Sequence, residues 1–148
     1  MMLIDANLLL YAYNTSSEHH EAAKRWLQEV LSQPEPIRLS WLTILAFLRI
    51  STTPRIFPRP LTVKEALTSV SEWLSLPNLH TLNPTERHFE ILSKILPAGQ
   101  ASGPLVMDGD LAALAIEHGA VLCTTDRDFA RFPGLRFVNP LDELKRLI

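Results

Sequence analysis

Met2-Leu3-Ile4-Asp5-Ala6-Asn7-Leu8-Leu9-Leu10-Tyr11 is the stretch on which the reading of this chain turns. A short apolar run stops at an aspartate and an amide, and a second apolar run follows with no glycine between them. The first run predicts a buried strand and the second a helix, with Asp5 at the junction. A loop that cradles phosphate on backbone amides needs glycines at this place, which argues against P-loop and dinucleotide folds. The arrangement returns near the other end, where Val121-Leu122-Cys123 runs into Thr124-Thr125-Asp126. Before it, Asp108 opens the helical run Leu111-Ala112-Ala113-Leu114-Ala115-Ile116.

Outward from these points, short apolar strands alternate with amphipathic helices, the pattern of βαβ units and a parallel sheet. Strands are expected at Met2 to Ile4, Ile37 to Leu39, Leu79 to Leu82, Val121 to Cys123 and Arg136 to Val138. Ala22, Ala23, Trp26, Leu27, Val30 and Leu31 form one apolar stripe on a helix from about Ser17 to Ser32. Thr62 with Glu65 and Asn83 with Glu86 have capping-box spacing, while Pro84 and Pro140 suit first-turn positions. Helices are therefore expected near 62–75, 84–96 and 140–147, and Gly119 is expected to stop a helix over 108–118. Right-handed crossovers then favour a three-layer α/β/α fold, a mainly parallel five-stranded sheet with helices on both faces. The order 3-2-1-4-5 is chosen partly because it sets the first and fourth strands side by side and lets the acids meet.

Asp5, Asp108 and Asp126 would then gather beyond the carboxyl ends of the strands, where open α/β sheets bind ligands. Aspartate is also a preferred N-cap, and each of the three precedes a helical pattern, so any one alone is explained by capping. Gathered together they would repel one another unless a cation lay between them. Oxygen-only ligation suits Mg²⁺ or Mn²⁺, which points to a metal-dependent phosphodiesterase acting on nucleic acid. Asp110 and Asp128, each two residues after a principal acid, are further candidates as ligands or supporting groups, or else first-turn residues favoured by the helix dipole. Cys123 lies in an apolar strand and is expected to be an inert core thiol.

The 148 residues fit one domain, 1–148, and 47% hydrophobic residues argue against extensive disorder. A net charge of −2 gives no global attraction to nucleic acid, so such a partner must be held by a local basic patch. The single cysteine excludes an internal disulfide and fits a reducing cytosol. The start of the chain lacks a secretory signal pattern, and the longest apolar stretch, Trp41 to Leu48, is too short to span a bilayer. A cytoplasmic, membrane-free protein is expected.

Asp5-Ala6-Asn7, Asp108 ahead of Leu111-Ala112-Ala113-Leu114-Ala115, and Thr125-Asp126-Arg127-Asp128-Phe129 together resemble a PIN domain. The likeness extends over nearly the whole chain, through Leu45-Ala46-Phe47-Leu48-Arg49 and Pro54-Arg55-Ile56-Phe57, and the chain resembles the VapC-type toxins of bacterial toxin–antitoxin pairs. The resemblance implies a Mg²⁺- or Mn²⁺-dependent endoribonuclease, usually dimeric and neutralised by a cognate antitoxin. It implies that Asp5, Asp108 and Asp126 carry the metal, that Asn7 and Thr125 orient ligands or water, and that Asp128 is a further acid. In one respect the chain departs from the family: PIN domains commonly have a glutamate in the third helix where Ala46 stands. A catalytically weakened PIN module acting by protein or RNA contacts is the alternative that this departure raises. A haloacid-dehalogenase-like phosphatase fits less well, because it expects an acid where Asn7 occurs.

From Pro36 through Lys64 there is no acidic residue, yet Arg38, Arg49, Arg55, Arg59 and Lys64 occur. Arg49, Arg55 and Arg59 are the candidate RNA-binding residues, the last two on a proline-stiffened loop. The plain alternative is a solvated connector anchored by Phe57. Trp41 and Phe47, at helical spacing, are expected in the core, and His19-His20 on an exposed helix surface.

Overall fold

The computed structural model describes residues 1–142. Its strands are β1 (Met2–Ile4), β2 (Ile37–Ser40), β3 (Leu79–Leu82), β4 (Val121–Cys123) and β5 (Phe137–Val138). They form one parallel sheet in the order β3-β2-β1-β4-β5. The helices are α1 (Ala6–Tyr13), α2 (His20–Leu31), α3 (Trp41–Ser51), α4 (Val63–Leu74), α5 (His88–Ala98) and α6 (Leu105–His118), with a short 3-10 helix at Arg127–Arg131. No helix among the described residues is long and apolar enough to cross a membrane.

Period-two alternation along the strands builds two cores. Ile4, Ile37, Leu39 and Cys123 pack with α1 to α4, whereas Leu3 and Leu122 pack with α5, α6 and the aromatic pair Phe129 and Phe132. Burying an aliphatic side chain such as Leu3 stabilises the fold by about 1.5–3 kcal/mol. Phe47 joins Tyr13 and Trp73 in an edge-to-face cluster, with ring centroids 4.8–5.9 Å apart. The stripe on α2 buries Ala23, Trp26 and Leu27 as its spacing requires.

Tertiary contacts move several expected boundaries. The Thr62–Glu65 capping box forms and starts α4, but the Asn83–Glu86 box does not. The Thr85 amide instead donates to Glu117 of α6 at 3.1 Å, and α5 begins only at His88, leaving Pro84 in the loop before it. Helix α6 begins at Leu105, so Asp108 lies inside its first turn and caps nothing. Trp41 is 49% exposed at the start of α3 and is not a core residue, whereas Phe47 is fully buried. His19 and His20 are half-buried: His20 Nδ1 lies 3.0 Å from the Tyr11 carbonyl, and the His19 ring packs on Tyr11. The helix expected over 140–147 lies mostly outside the described residues.

Candidate functional site

Strand β1 ends at Asp5, which caps α1 by accepting the Ala6 amide at 2.7 Å. The neighbouring β4 is followed by Thr124, a buried residue whose hydroxyl donates to Asp5 Oδ2 at 2.8 Å. The same Thr124 oxygen accepts the Asp126 amide at 3.0 Å and Asn7 Nδ2 at 3.3 Å. One hydroxyl thus ties Asp5, Asn7 and Asp126 together. Asp126 in turn caps the 3-10 helix through the Asp128 amide at 2.9 Å. Thr124, which the sequence reading did not single out, makes these bonds, and Thr125 is half-buried one position further on. The signal was present in the sequence, because Thr124 is the last residue before the chain turns out of β4.

Asp108 reaches the group from α6. Burial, then Asp126, Asp5 and Asp128 in that order, push its carboxyl up to about 6, with Arg131 opposing. The Asp5 carboxyl is also raised: burial outweighs the bonds from Thr124 and Ala6, and Asp126 adds repulsion. These couplings place the three principal aspartates within electrostatic reach of one another. Arg131 holds the surrounding backbone, donating to the Asp128 carbonyl at 3.2 Å and the Gly99 carbonyl at 3.0 Å.

A cleft of about 510 Å³ opens over Asp5 and Asp108, whereas Asp126 is not among the residues that line it. Asp5, Asp108, Asp110, Ser40, Ala46 and Arg49 are among its lining residues, with Leu42, Leu45 and Met107 supplying an apolar wall. Ala46, at which the resemblance implied a glutamate, therefore faces the cleft. Arg49 lies on the same face of α3, whereas Arg55 and Arg59 are on the exposed loop beyond it and do not line the cleft. Phe57 is buried and anchors that loop. Ser40, which sequence reasoning passed over, ends β2 and caps α3 through the Thr43 amide at 3.0 Å.

Asp110 is committed to a histidine. His88 Nε2 lies 2.7 Å from Asp110 Oδ1, and its Nδ1 lies 3.0 Å from Glu117 Oε2. Burial opposes charge on this ring, but the two carboxylates outweigh it and raise the His88 pKa above its usual value.

The donor set suits a small hard cation: the acids at the cleft offer only oxygen donors, and Asn7 Oδ1 is buried without a hydrogen-bond partner. Asp108 and Asp5 are both held above the ordinary carboxylate range, and a cation would relieve the repulsion that contributes to this. Among the described residues, no three His, Cys, Asp or Glu side chains stand together as a group able to hold a metal ion. Asp5 is turned onto the Thr124 hydroxyl.

A parallel sheet that collects acids from both ends of the chain at one edge is the architecture of a PIN domain, and the PIN domain family model matches residues 2–135. The chain belongs to this family. Ribonuclease VapC37 of Mycobacterium tuberculosis is 45% identical over 140 residues, 95% of this chain and 97% of the relative. Ribonuclease VapC33 of the same species is 38% identical over 97% of this chain and 100% of the relative. Among solved structures, VapBC2 from Rickettsia felis, bound to a DNA fragment from its promoter, has a similar fold with a TM-score of 0.66 at 18% identity. The alignment covers 93% of this chain and 97% of that one.

Proposed function

We propose that this chain is the ribonuclease toxin of a VapBC-type toxin–antitoxin pair, and that it hydrolyses RNA phosphodiester bonds with a Mg²⁺ or Mn²⁺ ion held by Asp5, Asp108 and Asp126. Relatives named as VapC ribonucleases, matched over nearly their whole length, support the class of activity. The observation that carries the site is the convergence of these aspartates, with Asp108 pushed up to about 6 by burial first and then by Asp126, Asp5 and Asp128. When bound, a divalent cation supplies charge opposite the scissile phosphate and makes water a better nucleophile near neutral pH. Thr124 holds Asp5 and the Asp126 backbone in place, Asn7 offers an unpaired oxygen beside them, and Arg49 supplies a cation for an RNA phosphate along the cleft.

The cleft also suits the antitoxin. A peptide that lays apolar side chains on Leu42, Leu45 and Met107 and turns a basic group toward the acids would block RNA and cation together. VapBC complexes among the similar folds support such a partner. Self-association is proposed through α4, where Val63, Leu67 and Leu74 form an exposed apolar stripe that does not line the cleft.

The deciding experiment measures cleavage of a mixed RNA substrate with Mg²⁺, with Mn²⁺ and with a chelator, for the wild type and Asp5→Asn. Cation-dependent cleavage lost in the variant is the expected result. Ala46 in the cleft favours a second reading, a PIN module of weak turnover that acts by binding. Under that reading the wild type binds RNA and antitoxin but cleaves no faster than Asp5→Asn.

A further inference from the structure

Asp110 stands two residues after Asp108 and lines the same cleft, yet its carboxylate is tied into a different network. His88, at the first turn of α5 and 9% exposed, bridges Asp110 and Glu117, which lie two turns apart on one face of α6. A neutral imidazole has one N–H, so a ring that meets a carboxylate oxygen at each nitrogen donates to both only as the imidazolium. The Glu117 side chain is wholly buried and also accepts the Thr85 amide at 3.1 Å, so that end of the clasp is fixed. At the other end Asp110 retains partial exposure, its side chain 26% accessible.

We propose that His88 is a positioning residue that withholds Asp110 from the cation site, so that the site is built from Asp5, Asp108 and Asp126 alone. This rests on the reading of those three aspartates as the cation ligands. The clasp does two things at once. It balances the Asp110 charge inside the protein, so that this acid adds little field at the cleft, and it fixes α5 against the first turns of α6, where Asp108 sits. Gly109, between the two acids, reinforces the contact: a Cβ there would stand 2.3 Å from Leu96 Cδ2 of α5.

The test is calorimetric titration with Mn²⁺ alone, on the wild type, Asp108→Asn, Asp110→Asn, His88→Gln and His88→Gln/Asp110→Asn, with melting temperatures recorded for each. Asp108→Asn is expected to lose binding; wild-type affinity there would overturn the parent reading of the site, whatever His88 does. Asp110→Asn is expected to keep the wild-type affinity within about twofold. His88→Gln frees a fourth acid and is expected to tighten Mn²⁺ by about tenfold, the effect of one pKa unit. The double variant is expected to return to the wild-type value while sharing the lower melting temperature of His88→Gln. Equal affinity in the single and double His88 variants would reduce His88 to a structural role and overturn the proposal. Should His88→Gln not fold, Asp110→Asn decides alone: weakening as large as that of Asp108→Asn would make Asp110 a ligand and refute the clasp.

Discussion

The Thr124 hydroxyl donates to Asp5 Oδ2 across 2.8 Å, joining the carboxyl ends of two adjacent strands that the chain reaches at its opposite ends. Thr124→Val keeps the shape and removes this hydroxyl, leaving the Asp126 amide and an Asp5 oxygen without their partner. A loss of about 1–3 kcal/mol is expected. Urea unfolding measures it, and Mn²⁺ titration should show weakened binding that Thr124→Ser restores. Full Mn²⁺ affinity in the valine variant would show that the hydroxyl supports the fold and not the site.

Asp108 couples stability to pH. Its carboxyl is raised from 3.8 to about 6, so the native state binds the proton more tightly than the unfolded chain does. The resulting stabilisation is fully present below pH 3.8 and is lost as pH rises through about 6. The stability difference between wild type and Asp108→Asn should therefore shift against the wild type across this window, as read from melting temperatures without added metal. Mn²⁺ affinity should fall below pH 6, where a proton competes for the same oxygen. A pH-independent difference between the two proteins would show that Asp108 is not perturbed by its neighbours.

Ala46 lines the cleft, and the resemblance to PIN domains implies a glutamate there. Ala46→Glu should tighten Mn²⁺ by about tenfold or speed RNA cleavage, because a further oxygen ligand would share the cation's charge. A folded variant with unchanged affinity and rate would mean that the cleft has no use for this acid.

Arginine contacts separate by position. Arg49→Ala removes a cation from the cleft and should flatten the salt dependence of RNA binding by about 0.7 in log–log slope, the share of one single-strand phosphate. Arg55→Ala with Arg59→Ala should also flatten it if RNA runs along the exposed loop, while leaving Mn²⁺ affinity intact. An unchanged slope in that pair would make the loop a connector anchored by Phe57.

Local pattern determined the five strands almost to the residue, because a buried parallel strand must be a short apolar run and the helix stripes between them have their own period. It also singled out Asp5, Asp108 and Asp126, since an acid at the end of such a run is conspicuous whatever lies across the sheet. Capping alone could not be separated from ligation there, and Asp5 and Asp126 do cap. Only the tertiary structure decided that Asp108 does not, that Thr124 holds Asp5, and that Ser40 and Ala46 line the cleft with Asp108 while Arg55 and Arg59 stand outside it. The failed capping box at Asn83 and the commitment of Asp110 to His88 have the same cause: both depend on helix α6, through the Glu117 and Asp110 carboxylates. Periodicity reports which face of an element is apolar; which polar groups meet across the faces is settled when the helices pack, because hydrogen bonds are short-ranged and their partners lie far apart in the chain.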